Sequence, residues 1–343
     1  LAIKEEYGDA RRTEILTETT ELTIEDLLAD EEMVVTITRS GYIKRTHVEA
    51  YRSQRRGGKG VTGMETKEED IVEDLFIAST HAYLLFFTTL GKVHWLKVHE
   101  IPEGGRQAKG KAMVNLLSLG EGEGVATCVP VRDFAIGGYI LFATRQGKVK
   151  KTELEAYSHP RAGGIQAIGL EDGDTVITAR RTDGQREVMI ATKQGMIIRF
   201  SEDEVRPMGR SAAGVRGIEV EEGDEVIAAD VVQEGAQILT VTERGFGKRT
   251  PLEEYRLQGR AGKGIIDIKT GGRNGTVVGM LQIREGDDVL VVTSKGKLIR
   301  FHADTVSSQG RNTMGVRMID LDADDHVGSI ARVDAEQAPA EAS

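Results

Sequence analysis

Cysteine, proline and aromatic residues are scarce in this chain of 343 residues, which has one Cys, six Pro and 5% aromatic residues. A single cysteine excludes a disulfide framework and a zinc site built from several cysteines. No apolar run reaches the roughly 18 residues that a membrane-spanning helix requires, and no basic-then-apolar export signal opens the chain. The first residue is Leu, so we expect a piece excised from a longer protein.

The acidic residues are concentrated at the two ends of the chain. The formal net charge is −10, which by itself argues against a nucleic-acid partner. Residues 1–33 contain three basic and eleven acidic residues, and residues 318–343 contain one and seven. Residues 34–317 therefore carry 41 basic and 37 acidic residues, a net charge of +4. A basic surface on the central part of the chain is compatible with the acidic total.

One block of about 50 residues recurs six times. It consists of an apolar run, Thr, two residues, Gly, and then a second short stretch that includes basic residues. The glycines are Gly41, Gly91, Gly147, Gly195, Gly245 and Gly296, and a Thr stands three positions before each of them. Such regular self-similarity is the signature of a repeat architecture.

A basic loop follows each block glycine at a fixed distance. It ends in a second glycine 19 residues later in five repeats and 17 residues later in one. These second glycines are Gly60, Gly110, Gly164, Gly214, Gly264 and Gly315. Five loops fit Arg-x-x-x-Gly, with Arg56, Arg106, Arg210, Arg260 and Arg311, and the third is one residue shorter, with Arg161.

The local pattern in each repeat indicates about four short antiparallel strands. Runs such as YLLFFTT and DVLVVT are rich in β-branched and aromatic residues, and each is followed by a polar pair and Gly, as in a β-hairpin. Six four-stranded units predict an all-β ring of six blades, because neighbouring blades cover each other's faces.

The predicted organisation has three parts. Residues 1–33 form an acidic linker with one short helix capped by Thr23, residues 34–333 the ring, and residues 334–343 a short acidic tail. The predicted blades span about 33–81, 82–135, 136–184, 185–234, 235–285 and 286–333.

A ring places equivalent positions of every repeat on one rim, so the recurrent cations predict a curved basic track. Such a track fits a long polyanion better than a small molecule. The loops carry no aromatic residues in a stacking arrangement, which argues against single strands, so bent duplex DNA held by its phosphates is the expected partner. The candidate residues are Lys44, Arg45, Arg55, Arg56, Lys59, Lys92, Lys97, Arg106, Lys109, Lys111, Lys148, Lys150, Lys151, Arg161, Arg199, Arg210, Lys248, Arg249, Arg260, Lys263, Lys297, Arg300 and Arg311.

The first basic loop carries a family resemblance. The segment Gln54-Arg55-Arg56-Gly57-Gly58-Lys59-Gly60 resembles the seven-residue box in the C-terminal domain of the gyrase A protein, the DNA-cutting component of DNA gyrase. The opening IKEEYGDARRTEI is similar to the junction that precedes that domain. The resemblance covers essentially the whole chain. It implies that Gln54, Gly57, Gly58 and Gly60 also belong to the DNA-binding site.

The resemblance implies a six-bladed β-pinwheel whose blades exchange strands. It implies a basic perimeter that wraps duplex DNA with positive handedness, so that the ATP-hydrolysing type II topoisomerase can introduce negative supercoils. It further implies a bacterial, cytoplasmic, nucleoid-associated protein that acts with the rest of the gyrase A protein and with the gyrase B protein in an A2B2 enzyme. For this fragment we expect no catalytic site, no cofactor, no metal, no membrane partner and a monomeric isolated domain.

Alternative functions remain open at this point. The box favours gyrase over a topoisomerase IV-type domain, whose box is degenerate or absent, and a propeller that binds an acidic protein is a further alternative. The segment from Gly105 to Ala112 nearly fits a phosphate-binding P-loop, but it lacks the Ser/Thr that would hold Mg²⁺. The seven His form no ligand motif, so metal binding is not expected.

The box generates the first prediction. Replacing Arg55, Arg56 and Lys59 by Ala removes three charges within five residues. We expect this variant to lose wrapping but to keep weaker DNA binding, because the other loops still contact phosphates. The measurement is the linking number of a DNA circle ligated with the protein bound, and an unchanged topological shift would contradict the assignment.

Overall fold

The computed structural model describes residues 2–8, 25–38, 40–48, 72–105, 108–295, 298–322 and 324–333. Before the ring, a short helix α1 spans Ala2–Tyr7, which the sequence pattern did not predict. Within the segment 23–31, where we predict a helix, a 3₁₀ turn spans Glu25–Leu27, and Thr23 lies outside the described residues.

Strands dominate the rest of the described chain, which confirms the predicted all-β class. Their bounds are β1 (Glu32–Thr38), β2 (Tyr42–His47), β3 (Val72–Ser79), β4 (Tyr83–Thr88), β5 (Lys92–Lys97), β6 (Lys111–Ala112), β7 (Val125–Val131), β8 (Tyr139–Thr144), β9 (Lys148–Glu153), β10 (Ile165–Gln166), β11 (Val176–Thr182), β12 (Glu187–Thr192), β13 (Met196–Ser201), β14 (Val215–Arg216), β15 (Val226–Val231), β16 (Gln237–Thr242), β17 (Phe246–Pro251), β18 (Ile265–Ile266), β19 (Val277–Ile283), β20 (Asp288–Thr293), β21 (Leu298–His302), β22 (Val316–Arg317) and β23 (Val327–Val333).

Neighbouring blades exchange their shortest strand. In five sheets, three long strands of one repeat pair with a two-residue strand from the next repeat, in the orders β3-β1-β2-β6, β10-β5-β4-β7, β11-β8-β9-β14, β15-β12-β13-β18 and β19-β16-β17-β22. The sixth sheet, β21-β20-β23, has three strands within the described residues. Each repeat does supply four strands where its loop is described, but its short strand completes the preceding blade.

The threonine that recurs three positions before each block glycine closes the hairpin. Thr144 Oγ1 accepts a hydrogen bond from the Lys148 amide at 3.2 Å, and the Gly147 amide donates to the Thr144 carbonyl at 3.0 Å. Thr38 and Thr88 accept from Tyr42 and Lys92 in the same way, each at 3.1 Å. The hydroxyl therefore satisfies an amide that the tight turn leaves without a backbone partner.

The apolar core lies between blades. Phe87 of the second repeat packs edge-on against Phe142 and Tyr157 of the third, with ring centroids 5.1 and 5.6 Å apart. All three side chains are fully buried. Aromatic pairs in this geometry stabilise a contact beyond the area that they bury. Each blade is thus stable only beside its neighbour, as expected for a repeat array.

The two edges of each sheet face different surroundings. A central cavity of about 1400 Å³ is lined by residues of β7, β11, β15, β19 and β23, which are the last long strands of their repeats. The short exchanged strands lie at the opposite sheet edge. The basic loops, which directly precede these short strands, therefore lie on the outer perimeter of the ring.

Replacing Thr144 by Val tests the hairpin closure. The loss of the bond to the Lys148 amide is expected to lower the free energy of unfolding by about 1 kcal/mol, a typical value for one hydrogen bond. The measurement is urea unfolding followed by circular dichroism. Thr178→Val is the matched control, because Thr178 Oγ1 is buried and makes no hydrogen bond among the described residues. Equal effects of the two substitutions would contradict the assigned role.

Candidate nucleic-acid interface

The described basic loops do place cations on the outer perimeter. Lys111, Arg161, Arg210 and Lys263 are exposed, and Lys109, Lys148, Arg260 and Arg311 are half-buried. Lys92 is exposed at the same sheet edge, and Lys97 is half-buried. The predicted residues Gln54, Arg55, Arg56, Gly57, Gly58, Lys59, Gly60, Arg106 and Lys297 lie outside the described residues.

The glycine that ends each basic loop is required by a close approach of two backbones. Gly214 has φ +90°, and a Cβ there would lie 2.4 Å from the Val149 carbonyl oxygen of the preceding repeat. Gly110 has φ +77° and would place a Cβ 2.5 Å from the Ile43 carbonyl oxygen. Any side chain would push the loop off the strand beneath it. The glycine thus fixes where the loop crosses the preceding blade.

Four predicted DNA contacts are wrong, because the structure buries their side chains. Lys44, Lys150 and Lys248 are fully buried and Lys151 is 4% exposed. Lys151 Nζ donates to the Glu202 carbonyl at 3.2 Å and lies 3.7 Å from the Glu202 carboxylate. A buried ammonium that is held by protein oxygens cannot contact a phosphate. In this conformation these lysines hold the blades together and do not form the DNA surface.

Burial also changes the acidity of these lysines. It lowers the pKa of Lys150 to about 7, with the Arg210 guanidinium adding to the effect, and lowers the pKa of Lys44 to about 8. Burial lowers the pKa of Lys248 as well, although Asp267 opposes this shift. A low-dielectric interior disfavours the charged form of an amine, so these groups lose protons at a lower pH than exposed lysines.

The next position of the strand joins adjacent repeats. Arg45 Nε donates to the Ile101 carbonyl at 2.8 Å, and Arg249 Nε donates to the Val306 carbonyl at 2.7 Å. Trp95 takes the same place in the second repeat, where its Nε1 donates to the Tyr157 carbonyl at 2.8 Å. In the fourth repeat, Arg199 donates to the carbonyls of Leu252 and Tyr255, each at 3.0 Å. In the last repeat, Arg300 instead pairs with Asp288 of the neighbouring strand.

Acidic turns of the ring pair with several of the predicted cations. Lys148 Nζ lies 2.8 Å from Glu171, and Lys263 Nζ lies 2.8 Å from Glu221. The Lys263 pair is exposed, with side-chain exposures of 61% and 67%. Exposed ion pairs contribute little to stability, so phosphate oxygens can replace these carboxylates as partners.

Two exposed arginines on the perimeter were missed by the sequence reasoning. Arg216 and Arg317 are the second residues of β14 and β22, and both side chains are exposed. Their signal was a repeated offset, two residues after the glycine that ends the basic loop. Reading the cations before that glycine, and not those after it, left them out.

Residues 32–79, 82–132, 138–183, 186–233, 236–284 and 287–334 match the family described as "DNA gyrase C-terminal domain, beta-propeller". The chain belongs to the DNA gyrase C-terminal domain family. The resemblance of the first basic loop is thereby confirmed, and so is the six-bladed fold.

Relatives of this gyrase domain are gyrase A proteins of bacteria and an archaeon. That of Halalkalibacterium halodurans is 48% identical over 336 residues, which is 98% of this chain and 40% of the relative. That of Salmonella typhimurium is 42% identical over 331 residues, covering 96% of this chain and 38% of the relative. That of Haloquadratum walsbyi is 43% identical over 334 residues, covering 96% and 39%. The chain thus spans about two fifths of the length of these relatives.

Two solved structures are similar to this gyrase domain. The C-terminal domain of DNA topoisomerase IV superposes with a TM-score of 0.80 at 28% identity, covering 90% of this chain and 95% of that domain. The DNA gyrase A C-terminal domain superposes with a TM-score of 0.69 at 28% identity, covering 88% and 99%. Among the described residues, no three His, Cys, Asp or Glu side chains are placed to hold a metal ion, and no helix is long and apolar enough to cross a membrane.

The lowered pKa of Lys150 predicts a pH dependence of stability. Between pH 7 and 9 the unfolded chain keeps a proton on this lysine, whose ordinary pKa is 10.5, whereas the folded chain releases it near pH 7. The free energy of unfolding should therefore rise with pH in this window, and Lys150→Met should reduce the rise. Urea unfolding at pH 7 and pH 9 measures it. The same rise in both proteins would show that Lys150 does not titrate there.

Proposed function

We propose that this domain binds duplex DNA on its outer perimeter and wraps it with positive handedness. The observation that supports this most directly is the recurrence of exposed cations, such as Arg161, Arg210 and Lys263, beside the exchanged strands of consecutive repeats. The spacing follows the ring, so a partner that contacts several loops must itself follow the curve. A long polyanion with a regular phosphate spacing fits this requirement.

Wrapping needs many contacts because bending DNA is unfavourable. Bending 20–30 bp by 40–90° costs on the order of 1–6 kcal/mol, and a path around the perimeter costs several times more. No single loop offsets this cost, whereas a series of loops does. Contacts to phosphates carry no base readout, so sequence preference arises mainly from the deformability of the DNA.

The wrapped DNA serves the whole enzyme. In our proposal this domain acts with the rest of the gyrase A protein and with the gyrase B protein in an A2B2 gyrase of the bacterial cytoplasm and nucleoid. The wrap presents a neighbouring duplex segment for ATP-driven passage through a cut duplex, which introduces negative supercoils. The cutting and ATP-hydrolysing groups belong to parts of the enzyme beyond this domain, and the isolated domain is monomeric.

A topoisomerase IV-type domain is the second candidate, since that structure superposes with the higher TM-score of 0.80. The intact box Gln54–Gly60 and the 42–48% identity to gyrase A proteins favour gyrase. The two are distinguished by topology, because a domain that bends DNA without wrapping it leaves the linking number of a ligated circle unchanged.

DNA affinity measured against duplex length and salt tests the proposal. We expect affinity to rise with length well beyond about 40 bp, and the salt dependence to be steep, with a slope of about −0.9 per phosphate contacted. Arg161→Ala and Arg210→Ala should each weaken binding and reduce the slope by about 1.

Arg181→Ala is the matched control for these two variants. Arg181 is also exposed, but it lies on β11 and lines the central cavity, so its loss should leave the slope unchanged. Affinity that does not depend on duplex length would contradict wrapping and would favour a propeller that binds an acidic protein.

A further inference from the structure

Three buried lysines reach from one repeat to the basic loop of the next. Lys44 Nζ donates to the Gly105 carbonyl at 3.1 Å, Lys150 Nζ to the Arg210 carbonyl at 2.6 Å, and Lys248 Nζ to the Gly310 carbonyl at 3.2 Å. All three lysines stand three positions after the block glycine, in the first, third and fifth repeats.

Each acceptor carbonyl lies at the start of a basic loop. The Lys150 acceptor belongs to the loop arginine itself, and the other two belong to the residues immediately before Arg106 and Arg311. Hydrogen bonds from a charged donor are shorter and stronger than neutral ones. The buried ammonium therefore fixes the backbone at the point from which the loop arginine projects.

The blade itself does not require a lysine at this position. Ile198 occupies it in the fourth repeat and is fully buried in an apolar cluster. The sheet order of that blade is the same as in the repeats that carry a lysine. An apolar side chain thus suffices to build the blade, so the lysine serves the loop above it.

The loops with and without a lysine beneath them hold their arginines differently. Above Ile198, Arg260 ties its own loop down, because its Nε donates to the Glu204 carbonyl at 2.9 Å and its Nη1 to the Arg216 carbonyl at 3.0 Å. Above Lys150, the exposed Arg210 guanidinium makes no hydrogen bond or ion pair among the described residues. Its five donors are available to an external acceptor.

We propose that Lys150 is a positioning residue for DNA binding, which holds the Arg210 backbone from below so that the Arg210 guanidinium is free to bind phosphate. Lys44 and Lys248 hold the loops of the second and sixth repeats in the same way. The inference rests on the proposed function only for the identity of the bound anion, since the contact between lysine and loop is intramolecular.

The first readout of Lys150→Met needs no DNA. In the full chain, amide hydrogen exchange in residues 209–214 should accelerate by about tenfold, because a hydrogen bond to a charged donor is lost. Exchange in residues 259–264, the loop above Ile198, should stay unchanged and serves as the internal control. Unchanged exchange in residues 209–214 would overturn the proposal.

The second readout is a double-mutant cycle of Lys150→Met and Arg210→Ala, with a duplex longer than the wrap as the probe. If Lys150 acts through Arg210, each single variant lowers affinity by about threefold to tenfold and the double variant loses little more than Arg210→Ala alone. Additive losses would instead mean that Lys150 acts only through its charge, and would overturn the proposal.

The two proposals fail in different ways. If Arg210→Ala leaves DNA affinity unchanged, the perimeter is not the DNA site at this loop, while the exchange data still decide whether Lys150 orders the loop. If Lys150→Met does not fold, as judged by circular dichroism, Lys44→Met tests the same contact through exchange at residues 108–112. Unchanged exchange there would overturn the proposal equally.

Discussion

The pairing of a two-residue strand with the preceding blade is the constraint on which the rest of the ring depends. When Val215 and Arg216 pair with Val149 and Lys148, the loop before them must cross the edge of β9. The crossing leaves no room for a Cβ at Gly214. It also carries the loop carbonyls over a buried strand, where they need donors, since an unpaired buried carbonyl is unfavourable. The exchanged strand thus determines the position of the perimeter loops.

Lysine and arginine have two separate roles in this array. Those that lie under the exchanged strand, such as Lys150 and Lys248, supply donors to loop carbonyls and carry lowered pKa values because they are removed from water. Those beyond the strand, such as Arg161 and Arg210, are exposed on the perimeter. The same residue types, a few positions apart, therefore act as internal supports and as an external surface for an anion.

Much of the architecture follows from the sequence. The spacing of the block glycines, the threonine before each of them and the apolar runs predicted the hairpins, the six blades and the ring, and the fold confirms them. The family followed from a single segment, Gln54–Gly60, together with the opening of the chain. The linker was predicted less well, because short helical turns such as Glu25–Leu27 have weak local signals.

The sequence failed where burial depends on a neighbour. Strand periodicity assigns alternate residues to two faces, but both faces of a blade are covered in a ring, so alternation does not separate Lys150 from an exposed lysine. By itself, the sequence determined the repeat, the fold and the set of cations near the perimeter. Only the tertiary structure decided which cations face water, because the strand that covers them comes from the next repeat, about 50 residues further along the chain.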